Sequence, residues 1–450
     1  MHFDDTICAP ATSVGSGAVS IIRISGPDAL RLADSVVRFR SGSAQASKGY
    51  TLKYGSIPGV DEALVSVFRA PHSYTGEDSV ELACHASSFI VEKILQMLVA
   101  AGCRMAEPGE FTRRAFVNGK MDLSQAEAVA DLIAAGSEAS HKVALSQLKG
   151  AYSSELKQLR EELLSIASLL ELELDFSEEE VEFADREHLQ GLLDKATKHV
   201  EKLVRSFRTG NAIKNGVPVA IVGPVNAGKS TLLNVLVGED RAIVSDIPGT
   251  TRDTIEETVT LGGILFRFID TAGLRESSDT IEKIGIERSY GSIDKAQIIL
   301  GVLDGSAAPE AVKSAADMIA ARVACTDKKL ILIRNKADIC DASVPEDAAF
   351  LDISAKTGEG LDVLRARLVD AAGFADWNGS TLVTNLRHYE ALQRALESLR
   401  QVSAGLERRS PTDLVAQDLR EAISELGSIF GEIAPDEVLN GIFANFCIGK

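Results

Sequence analysis

The sequence predicts a multidomain protein of α+β and α/β class: an N-terminal α+β domain, a helical domain in two pieces, and an α/β domain inserted between them. Three observations carry this. Residues 1–120 mix short β-type runs (AVSIIRIS, ALVSVF, SVELAC) with Gly and Pro turns. Residues 121–210 and 376–450 hold stretches with apolar side chains at helical spacing. Residues 211–375 alternate short apolar strands with helical stretches, which predicts a parallel sheet with helices on both faces.

Each element follows from its pattern. In the first helical piece, SELKQLREELLSIASLLELEL places Leu156, Leu159, Leu163, Ile166 and Leu170 on one stripe. EEEVEF at 178–183 breaks that stripe and reads as a solvated acidic turn. The strands VPVAIVG, ILFRFID, AQIILGVLD and KLILIRNKAD then follow. Beyond Trp377, PTDLVAQDLREAISELGSIFGE opens on a cap signal and stripes Val415, Leu419, Ala422, Leu426 and Phe430. Neither helical piece is self-sufficient, so the two are expected to pack together as one discontinuous domain.

Composition narrows the class. At 450 residues, two or three domains are expected, and 45% hydrophobic residues are enough for real cores. The formal charge of −18 argues against a broad cationic surface for nucleic acid. The charge is uneven: 12 basic and 12 acidic residues in 1–120, 18 and 24 in 211–375, and 17 and 29 in the two helical pieces. Six cysteines (8, 84, 103, 325, 340 and 447) form no CxxC pair, which fits a reducing cytoplasm. The acidic N-terminus has no secretory h-region, and no run approaches the ~18 apolar residues of a membrane span. The expectation is a cytoplasmic, acidic protein without a membrane segment.

GPVNAGKS at 223–230 follows the strand VAIV and precedes the helical TLLNVLVG, the order a P-loop requires. Gly223 and Gly228 allow backbone amides to wrap phosphate oxygens, while Lys229 supplies a cation and Ser230 a hydroxyl for Mg²⁺. Downstream stand DIPGTTRD (246–253), DTAG (270–273), NKAD (335–338) and SAK (354–356), in the order and spacing of a Ras-like GTPase. This resemblance implies GTP contacts at Asn226, Ala227, Gly228, Lys229, Ser230, Thr231, Ser245, Thr250, Thr251, Asp270, Thr271, Ala272 and Gly273. It implies base contacts at Asn335, Lys336, Asp338, Ser354, Ala355 and Lys356, with Asn335 and Asp338 reading guanine. Thr251 would complete the Mg²⁺ shell begun by Ser230, and Asp270 would hold Mg²⁺ through water. Where Ras-like enzymes place a water-orienting glutamine, this chain has Leu274, which cannot orient water. Glu282, in SSDTIEKIGIERS, is the first candidate for that role.

These motifs, with SYTGED (73–78), PGEFTRRAF (108–116), NGKMDLSQAEAV (118–129), GLRESSDTIEKIGIERS and the terminal FCIGK, make the whole chain resemble the MnmE (TrmE) family of bacterial tRNA-modification GTPases. The resemblance implies an N-terminal folate-binding and dimerising domain, a helical domain split by the G domain, and K⁺-stimulated GTP hydrolysis. It implies a flavoprotein partner, GidA (MnmG), with which the family installs an aminomethyl or carboxymethylaminomethyl group at C5 of the tRNA wobble uridine. A homodimer is expected. K⁺ ligands carry over to Asn226, Ser245, Ile247 and Thr250, offsetting charge in the transition state where a finger arginine would reach. The chain has Pro224 and Val225 before Asn226, whereas the family often has Pro directly before it. Folate contacts, to a 5-formyl or methylene tetrahydrofolate, carry over to Arg23, Glu81, Lys120 and Lys450. A carboxylate suits the pterin's amino-pyrimidine edge and cations suit the glutamate tail. From the residues alone, Arg23 and Glu81 also read as an ordinary ion pair between strands.

In the tail, Phe443, Phe446 and Ile448 are expected as apolar anchors beside the folate pocket. The resemblance gives Cys447 a functional role there, with nucleophile, packing and redox sensing all open. The alternative reading is a ribosome-assembly GTPase of the Era or Der type. Those carry a C-terminal RNA-binding domain or a second G domain, whereas the last 75 residues here are acidic and helical, with no GXXG loop. A folate-dependent methyltransferase with an idle G domain is weaker still, since a full set of G motifs predicts turnover.

Overall fold

The computed structural model describes residues 4–13, 17–175, 186–239, 256–269, 292–324, 326–340, 350–374, 381–432, 436–444, 446, 448 and 449. The chain forms two compact units. One comprises residues 1–130, 147–165 and 423–450; the other comprises 131–146 and 166–422.

The first unit is built on a seven-stranded sheet. Its strands are β1 (Ile7–Pro10), β2 (Val19–Ser25), β3 (Arg38–Phe39), β4 (Thr51–Ile57), β5 (Asp61–Phe68), β6 (Ser79–His85) and β7 (Arg104–Met105), in the spatial order β3-β4-β5-β6-β2-β1-β7. Strict alternation sends Ile22, Ile24, Val65, Val67, Val80 and Leu82 into a core beneath helices α1 (Ala29–Val36) and α2 (Ser88–Ala101). Among the described residues the opposite face is covered toward β1, where α3 (Glu110–Val117) packs Phe111 onto Ile7 and Ala9. Toward β4 and β5 that face leaves Leu52, Tyr54 and Leu64 exposed.

Helices α4 (Leu123–Ala134), α5 (Glu138–Leu148) and α6 (Ala151–Asp175) follow. The predicted stripe on α6 is buried throughout: Leu156, Leu159, Leu163, Ile166 and Leu170 are each at most 1% exposed. The acidic EEEVEF lies outside the described residues.

In the second unit, α7 (Arg186–Asn215) leads into a six-stranded sheet made of β8 (Val217–Val222), β9 (Glu257–Leu261), β10 (Ile264–Phe268), β11 (Ile298–Asp304), β12 (Lys329–Asn335) and β13 (Phe350–Asp352). The order is β13-β12-β11-β8-β10-β9. All neighbours are parallel except β9, which pairs antiparallel with β10 through the tight Gly262-Gly263 turn. Both turn glycines have positive φ, a conformation other residues rarely adopt. The predicted parallel sheet is therefore present, with this one antiparallel edge added. Val217, Val219 and Ile221 face one core while Ala220 and Val222 face another, so the sheet is buried on both sides. Around it lie α8 (Lys229–Glu239), α9 (Pro309–Val323) and α10 (Leu361–Ala371).

Helix α11 (Leu386–Glu407) packs along α7, where Phe207 and Tyr389 stack with centroids 4.3 Å apart. The last helices are α12 (Thr412–Phe430), whose predicted stripe is buried, and α13 (Asp436–Phe443). In the first unit α13 lays Leu439 and Phe443 against Leu123 and Ala126 of α4.

Candidate functional site

The described loops predicted to hold nucleotide follow β8, β12 and β13, each leaving the carboxyl end of a parallel strand. That is the edge where open α/β sheets bind ligands. The loop after β8 makes its turn with backbone geometry that only particular residues tolerate. Gly223 (φ 150°) passes so close to Val302 that a Cβ would overlap the Val302 carbonyl. Gly228 (φ 90°) lies as close to the Asn335 amide. Between them Asn226 adopts φ 63°, a left-handed conformation that asparagine accepts more readily than most residues. Ala227 is fully buried, and Lys229, Ser230 and Thr231 begin α8, whose free amides and positive dipole end favour an anion.

Lys229 shows what the loop is built for. Its Nζ donates to the carbonyls of Gly223 (2.9 Å) and Pro224 (2.6 Å), and among the described residues no carboxylate pairs with it. Burial lowers its pKa from the ordinary lysine value, since desolvation penalises the charged form. An ammonium held on loop carbonyls at a helix N-terminus is the donor set a polyphosphate needs, so these residues fit the ligand.

The base-facing loops are tied to the phosphate loop by one amide. Asn335, 2% exposed, donates from Nδ2 to Ala227 O (2.9 Å) and accepts from Ala355 N at Oδ1 (3.0 Å). Both ends of its side chain thus join loops, a positioning job beyond the base contact expected of it. Asp338 is exposed, with one carboxylate oxygen accepting from the buried Ser354 hydroxyl at 2.7 Å. Lys336, at φ 69°, reaches Asp304 at the end of β11 (2.6 Å). Burial works to raise the Asp304 carboxyl, but Lys336 and Ser306 outweigh it and hold it below the usual carboxylate value. Sequence reasoning missed Asp304; its signal was an acid closing the apolar run IILGVLD. Lys356 is exposed on the loop that follows Ala355.

Described and assembled here are Asn226, Ala227, Gly228, Lys229, Ser230, Thr231, Asn335, Lys336, Asp338, Ser354, Ala355 and Lys356. Ser245, Ile247, Thr250, Thr251, Asp270, Thr271, Ala272, Gly273 and Glu282 lie outside the described residues. Among the described residues no cluster of metal-ligating side chains occurs.

In the first unit, Arg23 and Glu81 are direct cross-strand partners, with Nη2 and Oε1 2.9 Å apart. The guanidinium lies 5.0 Å from the Tyr74 ring centroid and 5.6 Å from that of Phe111. A half-buried cation and carboxylate beside two aromatic rings fit a flat heterocycle that has polar edges. Lys120 donates to the Pro71 carbonyl at 2.9 Å and is otherwise exposed. Lys450 and Cys447 lie outside the described residues. The tail does reach this sheet: Gly449, at φ 97°, packs its backbone on Pro10, and its carbonyl stands 3.5 Å from Arg23 Nη1. Phe443 is buried and Phe446 half-buried, as anchors should be. Ile448 is not an anchor, being 54% exposed. The contact is made by the Gly449 backbone, which leaves the preceding side chain outside.

Beneath this face lies a charged cluster that sequence reasoning missed. Arg114, fully buried, reaches Asp5 (2.7 Å), Glu110 (3.0 Å) and Glu77 (3.3 Å). Arg104 adds bridges to Asp5 (2.7 Å) and Glu110 (2.6 Å).

Two family models match. Residues 6–120 match the N-terminus of the GTP-binding protein TrmE, and residues 123–447 match the MnmE helical domain. A tRNA modification GTPase MnmE from Bacteroides thetaiotaomicron is 51% identical over 465 residues, covering 99% of both chains. Relatives of the same name from Porphyromonas gingivalis (49%) and Flavobacterium johnsoniae (48%) cover at least 98% of each chain. The chain belongs to the MnmE family of tRNA modification GTPases.

Proposed function

We propose that this protein is a K⁺-stimulated GTPase which, with a flavoprotein partner of the GidA (MnmG) kind, modifies C5 of the tRNA wobble uridine. The group added is aminomethyl or carboxymethylaminomethyl, with its one-carbon unit from a tetrahydrofolate. The observation that carries this is the joining of the Lys229 loop to the Asn335–Asp338 and Ser354 loops through a single buried amide. Lys229 would neutralise the terminal phosphates. Asp338, oriented by Ser354, would accept from the N1–H and exocyclic amine of guanine, an edge that adenine lacks. Mg²⁺ at Ser230 and Thr251, and K⁺ at Asn226, Ser245, Ile247 and Thr250, would offset phosphate charge when bound. Glu282 is proposed to orient the attacking water.

Domain limits of 1–120, 121–210, 211–375 and 376–450 are part of the proposal, as is the folate site at Arg23, Glu81, Lys120 and Lys450. The Arg23–Glu81 pair beside Tyr74 and Phe111 supports that site, and the tail's approach to Arg23 supports a role for Cys447 near it. A homodimer through the first unit is supported by the open apolar sheet face around Leu52, Tyr54 and Leu64. A cytoplasmic setting accords with the described helices, none of which is long and apolar enough to cross a membrane.

GTP turnover measured in K⁺ and in Na⁺ tests the cation reading: hydrolysis should be faster in K⁺, and equal rates would remove the Asn226 site. Replacing Glu282 with Ala should slow hydrolysis while leaving GDP affinity nearly intact. Loss of nucleotide binding instead would make Glu282 structural.

A further inference from the structure

The acidic balance of the chain hides one strongly cationic face. Between residues 195 and 208 of α7, the exposed positions are Lys195, Lys198, Lys202, Arg205 and Arg208, so every one is basic. They recur at steps of three and four, the spacing that stacks side chains along one side of a helix. The stripe runs about 20 Å, with about 4.5–6 Å of rise between neighbours. The opposite side of α7 buries Leu193, Ala196, Val200 and Leu203, so its orientation is fixed by packing.

An ordinary solvated helix face mixes its signs. Helix α11, packed beside α7, does so, exposing Glu390, Arg394, Glu397 and Arg400. Along the α7 stripe, Arg205 lies 3.8 Å from Glu201, which Arg400 of α11 holds at 2.9 Å. Arg208 lies 3.9 Å from the Asp327 carboxylate while its Nη2 donates to the Asp327 carbonyl at 3.0 Å, all at solvent-accessible sites. Asp194, just before the ridge, accepts from the Gln190 amide (3.0 Å). Lys195, Lys198 and Lys202 have no acidic partner among the described residues. Like charges three and four positions apart on one ridge repel each other. The chain's overall net charge of −18 does little to relieve that in 0.15 M salt, where fields fade within about 8 Å.

We propose that the Lys195–Arg208 ridge of α7 is a docking surface for the phosphate backbone of tRNA. A straight row of evenly spaced cations complements a row of phosphates, and long Lys and Arg side chains adapt to its curvature. The contact is sequence-independent: it holds the RNA and leaves choice of base to other groups. This assignment rests on the tRNA reading given above.

The test uses the full chain and a quadruple variant, Lys195→Gln, Lys198→Gln, Lys202→Gln and Arg205→Gln, all exposed positions outside the nucleotide loops. Its GTP turnover without tRNA should match the unaltered chain, which shows that it folds. Affinity for tRNA, followed by fluorescence anisotropy over a salt series, should fall at least about tenfold at low salt. The slope of log affinity against log salt should flatten by about three, at roughly 0.7–0.9 per phosphate contact. Equal affinity and slope in the two chains would overturn the assignment, as would an unaltered chain that fails to bind tRNA at low salt. Wobble-uridine analysis in cells carrying the unaltered chain tests the tRNA reading separately. Lost modification in the variant with undiminished tRNA affinity would give the ridge to an acidic protein partner, and would overturn the assignment too.

Discussion

The nucleotide loops and the Arg23–Glu81 face are built in opposite ways. In the first, eight contiguous residues form the phosphate cradle, and the chemistry belongs mainly to the backbone: amides, two glycines without room for a Cβ, and one lysine on loop carbonyls. In the second, side chains 58 residues apart meet because β2 and β6 are register partners. A backbone site tolerates almost no change at its glycines and considerable change around them. A side-chain site depends on the sheet beneath it, so here stability and binding are harder to separate.

The largest effect should come at the close approach. Gly228→Ala places a Cβ against the Asn335 amide at a backbone conformation alanine rarely adopts. Isothermal titration should find GDP binding abolished; retained affinity would mean that the two loops are not coupled as described. Next is Arg114→Ala, which leaves a buried void and takes the cation from the largely buried Glu77, while Arg104 still pairs with Asp5 and Glu110. It should cost about 3–5 kcal/mol in chemical denaturation, because an unpaired buried charge is left behind. A loss under about 1 kcal/mol, the value of surface pairs, would mean the cluster is solvated.

Asp338→Asn should weaken GDP binding by about 1.5–3 kcal/mol, roughly tenfold to a hundredfold and more, by removing charge-assisted acceptors. An unchanged preference for GDP over ADP would remove Asp338 from base recognition. The smallest effects concern pH. Burial raises the carboxyls of Asp5 and Glu110, but bonds from Arg104 and the charge of Arg114 more than offset it, leaving both lowered. Depressed values mean that these pairs stabilise the fold above the ordinary carboxylate range near about 4, and that this is lost as pH falls through the folded values. Arg114→Ala should therefore flatten the acid limb of the stability curve.

Local patterns are the part of this molecule that the amino-acid order makes legible. Apolar stripes predict α6 and α12 because helical burial repeats within a few residues, and the phosphate loop is legible because its chemistry is contiguous. Asp304 is not, because only the parallel pairing of β11 with β12 brings it to Lys336. Arg114 is hidden for the same reason: its partners Asp5 and Glu77 are 109 and 37 residues away. Ile448 misleads because apolar character alone marks it as an anchor, whereas the glycine after it makes the contact. The cationic ridge on α7 is masked by whole-chain charge, since sums over hundreds of residues do not show which side of one helix the lysines share.

One measurement bears most directly on the claim that guanine-nucleotide turnover at the Lys229 loop serves tRNA modification. Cells lacking the protein are supplied with the unaltered chain or with Gly228→Ala, and wobble uridine is quantified by nucleoside mass spectrometry. The account predicts that the unaltered chain restores the C5 modification and the variant does not. Restoration by both, or a wobble uridine unaffected by the protein's absence, would contradict it.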